Sequence, residues 1–120
     1  MNDYRELLEL AARALGVDIS AGWSDGNEPY SSGPHFILLT GHAWNPGANS
    51  GQCAAMCAAL GIDTKWGYPI RPPREIFCVS CTRGWHYSLE MLKDHNNDRS
   101  AAWRLAALRV AAEIGKGMRG

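Results

Sequence analysis

A chain of 120 residues holds twelve Lys plus Arg against twelve Asp plus Glu, so it has no net charge with its histidines neutral. That balance excludes a general nucleic-acid binder, which carries a basic excess. The length fits one domain, 1–120, large enough to fold without staples, and no apolar run reaches the roughly 20 residues that cross a bilayer.

The opening MNDYRELLEL has early acids and no apolar stretch, so it does not read as a signal peptide. A cytoplasmic setting, the host cytosol if the chain is foreign to the cell, is the expectation. There the four cysteines serve as thiols or metal ligands rather than disulfides. Five tryptophans are many for this length, and a binding surface uses them as readily as a core does.

In chain order, Asn2 caps a first helix whose stripe is Tyr4, Leu7, Leu8, Ala11, Ala12 and Leu15. Gly16 ends it. Val17 to Trp23 alternates as a strand. Ser24 to Pro34 is a loop by composition. Phe36 to Thr40 is a compact apolar strand that extends toward Trp44, and the two strands pair as a hairpin across the loop.

Trp44-Asn45-Pro46-Gly47 is turn chemistry: Pro sets φ, Gly permits positive φ, and Asn bonds its own backbone. Asn49 or Ser50 then caps a helix carrying Cys53, Met56, Cys57 and Leu60, closed by Gly61. Ile62 to Tyr68 is a third strand with Ile62, Thr64 and Trp66 on one face. Pro69, Pro72 and Pro73 make a rigid connection. Glu75 to Thr82 is the strongest strand, β-branched and aromatic.

Arg83 to Asn97 allows two readings, a helical turn over Tyr87 to Lys93 or a strand running on through Trp85 and Tyr87. Asn97 or Asp98 caps a last helix with Ala101, Ala102, Leu105, Leu108, Val110, Ala111 and Ile114 on its apolar face, and Gly115 and Gly117 end it. The fold class is α+β: an antiparallel sheet of about four strands with three helices packed on it, as two layers or an α/β/α sandwich.

The WNP turn followed by GQCAAMCAALGI, the closing run NNDRSAAWRLAALRVAAEIGKGM and the opening DYRELLELAARALG resemble small tailed-phage accessory proteins. The likeness is to the phage ABA-sandwich group and related uncharacterised phage proteins, over about half the chain. It implies a sheet-and-helix sandwich, a phage or prophage origin, no established enzyme chemistry, and action on host defence or host machinery. The chain departs from the pattern over Ser31 to Gly41, in its Cys pairs and around Trp85, so no ligand is carried over.

Four sets of residues bear chemistry. The amides of Asn49, Ser50 and Gly51, with the side chains of Asn45 and Ser50, offer an anion site at a helix start. Arg71, Arg74 and Arg83 supply forked donors, Trp44, Trp66 or Trp85 stacks a base, and His86 donates from the rim. Against this stands a plain capped helix with solvated arginines.

Cys53 and Cys57 at i, i+4 and Cys78-x-x-Cys81 form the one conceivable zinc set. On a straight strand, however, Cys78 and Cys81 point to opposite faces, and Cys53 and Cys57 sit among alanines as small hydrophobes. Cys53 near a helix start, with His42 or His86 as base, is the nucleophile reading. His35, His42, His86 and His95 show no metal or catalytic spacing.

The expected function is therefore binding rather than catalysis, in a phage counter-defence or host-takeover factor. The ligand is a small anionic nucleotide held near Trp44 to Gly51. The alternatives are a protein–protein inhibitor of a host defence complex, anchored by Trp and Tyr residues of the 23–34 and 83–95 loops, or a small zinc-binding structural protein. No membrane partner and no cofactor beyond that zinc are implied, and a homo-oligomer is compatible.

Overall fold

The computed structural model describes residues 4–25, 33–67 and 78–118. The fold is α+β. Helix α1 (Tyr4–Leu15) leads into a small sheet of β1 (Trp23–Ser24), β2 (His35–Ile37) and β3 (Ala43–Trp44). Helix α2 (Ser50–Leu60) follows, then a main sheet of β4 (Asp63–Gly67), β5 (Cys78–Arg83) and β6 (His86–Met91). A 3-10 turn (Leu92–His95) leads to α3 (Arg99–Lys116). Among the described residues the strands thus number six, in two antiparallel sheets of order β1-β2-β3 and β4-β5-β6, rather than about four in one sheet.

Helix α3 is the centre. It packs on α1, α2, β5, β6 and the 3-10 turn. Ala102, Ala106, Ala107, Leu108, Val110, Ala111, Ala112 and Gly115 are all buried, so most of its circumference is covered and a narrow stripe through Arg109, Glu113 and Lys116 stays exposed. Small residues let neighbours come close. At Gly115 a Cβ would stand 1.8 Å from the carbonyl oxygen of Leu10, so α1 and α3 touch through backbone. Gly115 therefore lies inside the helix rather than ending it, and Gly117 forms the C-cap. The α1 stripe is as read, with Leu7, Leu8, Ala11 and Ala12 buried.

The strand expected over Val17 to Trp23 keeps only its end. Asp18 Oδ1 accepts from the Ser20 amide at 2.9 Å, and Val17 N–H donates back to Ala12 O at 3.0 Å. A local Asp–backbone turn has overridden the alternation. The expected hairpin does form, with Trp23 opposite Phe36. Their rings meet edge-on at 4.8 Å, and the Arg5 guanidinium lies 5.2 Å from the Trp23 ring centre. The second strand stops at Ile37, reverses through Gly41 (φ 88), and returns as β3.

In the main sheet Thr64 faces Cys81, and Trp66 faces Val79. That side carries α3: Trp103 Nε1 donates to Thr64 Oγ1 at 3.1 Å, and the Arg99 guanidinium lies 5.6 Å from the Trp66 ring. The ambiguous stretch after Arg83 is neither a helical turn nor a continued strand. Gly84 (φ 61) and Trp85 form a two-residue loop, and β6 runs back along β5. Glycine with positive φ at the first loop position is what a type II′ hairpin turn needs.

Candidate functional site

The Trp44–Gly51 turn is a weld between elements. Trp44, Asn45 and Pro46 are buried. Asn45 Oδ1 accepts from the Tyr4 hydroxyl and from the Gly47 amide at 3.0 Å, while its Nδ2 donates to Pro34 O at 2.6 Å. Its own amide donates to Gln52 Oε1 at 2.6 Å. Gly47 is required by space rather than by positive φ, since a Cβ there would lie 2.0 Å from the Tyr4 hydroxyl oxygen. Asn49 caps α2, its Oδ1 accepting from the Gln52 amide at 2.9 Å.

Ser50 and Gly51 are exposed, and Arg104 of α3 reaches across to them. It donates to Gly47 O at 3.1 Å and to Ser50 Oγ at 2.9 Å. Trp44 is walled in and offers no face to a ligand, and the side chains of Asn45 and Asn49 are spent on the Tyr4 hydroxyl and on backbone.

Arg83 does not join this tip. It donates to Leu60 O at 2.9 Å, at the far end of α2. An eleven-residue helix is about 16 Å long, so the two ends cannot share a small ligand. Arg71 and Arg74 lie outside the described residues.

The cysteines separate by face. Cys78 Sγ donates to Gly67 O at 3.2 Å, whereas Cys81 Sγ lies 3.6 Å from Thr64 Oγ1 on the α3 side. Three positions along an extended strand put them on opposite faces. No group of three metal-binding side chains gathers among the described residues.

Cys53 is fully buried, and its interaction with Cys57, together with burial, raises its pKa. The same interaction lowers that of Cys57. Burial pushes the Cys81 thiol up to about 11, against the Thr64 hydrogen bond, which lowers it. A buried Cys53 held as thiol does not match the nucleophile reading. His42 meanwhile sits in the β2–β3 turn, 3.0 Å from Thr40 Oγ1.

The residues that do line open space are Trp85 and His86, joined by Leu7, Tyr87, Ser88, Arg109 and Glu113 around a half-open cleft of about 490 Å3. Trp85 is fully exposed at the hairpin tip, and Tyr87 is exposed beside it. The cleft wall is held by buried Glu90. Arg109 Nη1 donates to its Oε2 at 2.6 Å, and His95 Nε2 lies 2.8 Å from its Oε1.

Arg109 and Glu113 were invisible as site residues because two charges on an alanine-rich helix read as its wet side. Ser88 and Tyr87 carry no motif. The legible signal was the stretch Trp85-His86-Tyr87 after Gly84, whose Trp and Tyr are the anchors of the protein-inhibitor alternative.

No protein-family model matches the chain, and neither the curated proteins nor the solved structures contain a significant match. No helix among the described residues is long and apolar enough to cross a membrane.

Proposed function

We propose that the chain is a non-catalytic binding protein that grips a protein partner with the tip of the β5–β6 hairpin, Trp85 serving as anchor. The resemblance to phage accessory proteins makes a host protein the expected partner, and inhibition of host defence or takeover of host machinery the expected role.

One observation supports this above the rest: a tryptophan stands fully exposed on a two-residue turn whose flanking strands are pinned in a sheet. Burying about 200 Å2 of indole is worth on the order of 5 kcal/mol, and a fixed backbone loses little entropy on docking. Trp23 is a poorer anchor, being packed against Phe36.

The small-anion reading has less in its favour. Arg109 is already paired with Glu90, and Glu113 adds a second carboxylate to the cleft.

A photo-crosslinking residue placed at position 85 in host cells tests the proposal, with position 39, another exposed apolar site, as the control. A discrete protein adduct at 85 and none at 39 is expected. Equal adducts, or none, would sink it. Nucleotides should leave the melting temperature unmoved, and a saturable shift would favour the anion reading instead.

A further inference from the structure

The cleft runs along a strand edge, and that decides what shape of partner fits it. Trp85, His86, Tyr87 and Ser88 are consecutive, yet all four line it. Trp85 belongs to the turn, but side chains of a strand alternate between faces, so His86, Tyr87 and Ser88 of β6 can line one cleft in a row only along its edge. Among the described residues β6 pairs with β5 alone, and no backbone bond from residues 86–91 leaves that ladder. Alternate amides and carbonyls of β6 therefore point into the cleft.

The opposite edge, β4, is guarded. It carries an exposed Lys65 and ends at Gly67 (φ 155), and lysine and irregular backbone are what discourage pairing on an edge. Strand β6, His-Tyr-Ser-Leu-Glu-Met, has no lysine and no proline, and its one acid, Glu90, is turned inward.

The geometry points to an extended segment of the partner adding to β6 as a fourth, antiparallel strand. This rests on the protein-binding reading above and names its mode. The far wall supplies a charge code. Arg109 and Glu113 are one helical turn apart, a rise of about 6 Å, close to the roughly 6.7 Å between alternate residues of a strand.

Helix α3 folds back along β6 after the 3-10 turn, and Arg109 bonds Glu90, so Glu113 lies further toward His86. A strand running antiparallel to β6 meets Arg109 first and Glu113 second. It would place an acidic residue beside the half-exposed Arg109 guanidinium, of which only Nη1 is held by Glu90, and a basic one, two positions later, against Glu113. The residue between them would turn to the other face beside exposed Tyr87, where an apolar side chain fits. The segment recognised is acidic–apolar–basic in extended form.

The test is an NMR titration of the whole chain with octapeptides of alternating Thr and Val carrying Asp-Val-Lys at the centre. Expected are shifts at the amides of residues 86–90 and at the Arg109 guanidinium. Reversal to Lys-Val-Asp should weaken binding several-fold, and methylation of the edge-facing peptide amides at least tenfold. Glu113→Lys should reverse the preference, favouring Asp-Val-Glu over Asp-Val-Lys.

Indifference to amide methylation, shifts confined to other residues, or no shift with any peptide would overturn the strand-addition mode. A free protein that is already dimeric, with residues 86–90 protected from exchange, would overturn it too, because a second copy would hold the edge. A Trp85 crosslink that persists while every peptide fails leaves the protein-binding reading standing and removes only its mode. Peptide binding without any crosslink keeps the edge as a binding strand and removes Trp85 as the anchor.

Discussion

Asn45 has no idle polar group. Its side chain and backbone tie α1, the 33–35 segment, the turn and the start of α2 to one point, through Tyr4, Pro34, Gly47 and Gln52. Asn45→Ala would strand three partners in a buried place, each costing about 1–3 kcal/mol unless water reaches it. We expect a loss of roughly 3 kcal/mol in urea unfolding, against about 1 kcal/mol for Asn49→Ala, which removes one cap bond. Equal losses would mean that Asn45 is an ordinary turn residue.

The thiols make a second prediction at this scale. The Cys81 pKa is raised from the ordinary 9.0 to about 11, so the folded state keeps a proton that the unfolded chain gives up. That contribution to stability is whole below pH 9.0 and falls as pH climbs toward about 11. Cys81→Ala should flatten this alkaline limb in chemical denaturation run across that window. An unchanged limb would refute the assignment.

Between elements, the close approach of α1 and α3 is set by one missing side chain. Gly115→Ala drives a methyl into the Leu10 carbonyl, a backbone atom that cannot swing aside, so the helices must separate. Overpacking of this kind costs about 1–3 kcal/mol. Gly117→Ala meets nothing nearer than 3.6 Å and has ordinary helical backbone, so its melting temperature should stay near that of the parent. If the two variants melt together, the contact is looser than described. The Asp98 cap, accepting from the Ala101 amide at 3.0 Å, is separable, and Asp98→Ala should cost about 1 kcal/mol without disturbing α1.

For the whole molecule, the stable part and the binding part come apart. The core gathers around α3, while Trp85 stands at the end of a hairpin and touches solvent on all sides. Trp85→Ala should therefore shift unfolding free energy by less than about 0.5 kcal/mol and yet abolish partner capture. A large loss of stability would show that the indole is structural and would undo the anchor argument.

What could be read from residue order was what local chemistry decides. The α1 stripe, the Asn49 and Asp98 caps, left-handed Gly61 and the strand around Cys81 depend on neighbours within a turn or two. The hairpin at Gly84-Trp85 was hidden because its loop holds one glycine beside a bulky tryptophan, not the usual pair of turn residues. Residues 17–22 misled because alternation cannot announce an Asp side chain folding onto its own backbone.

Tertiary packing alone placed Arg83 at one end of α2 and Arg104 at the other, and set Arg109 and Glu113 opposite the edge of β6 that no described strand pairs. Such juxtapositions join residues many positions apart through α3, and nothing in their local sequence encodes them.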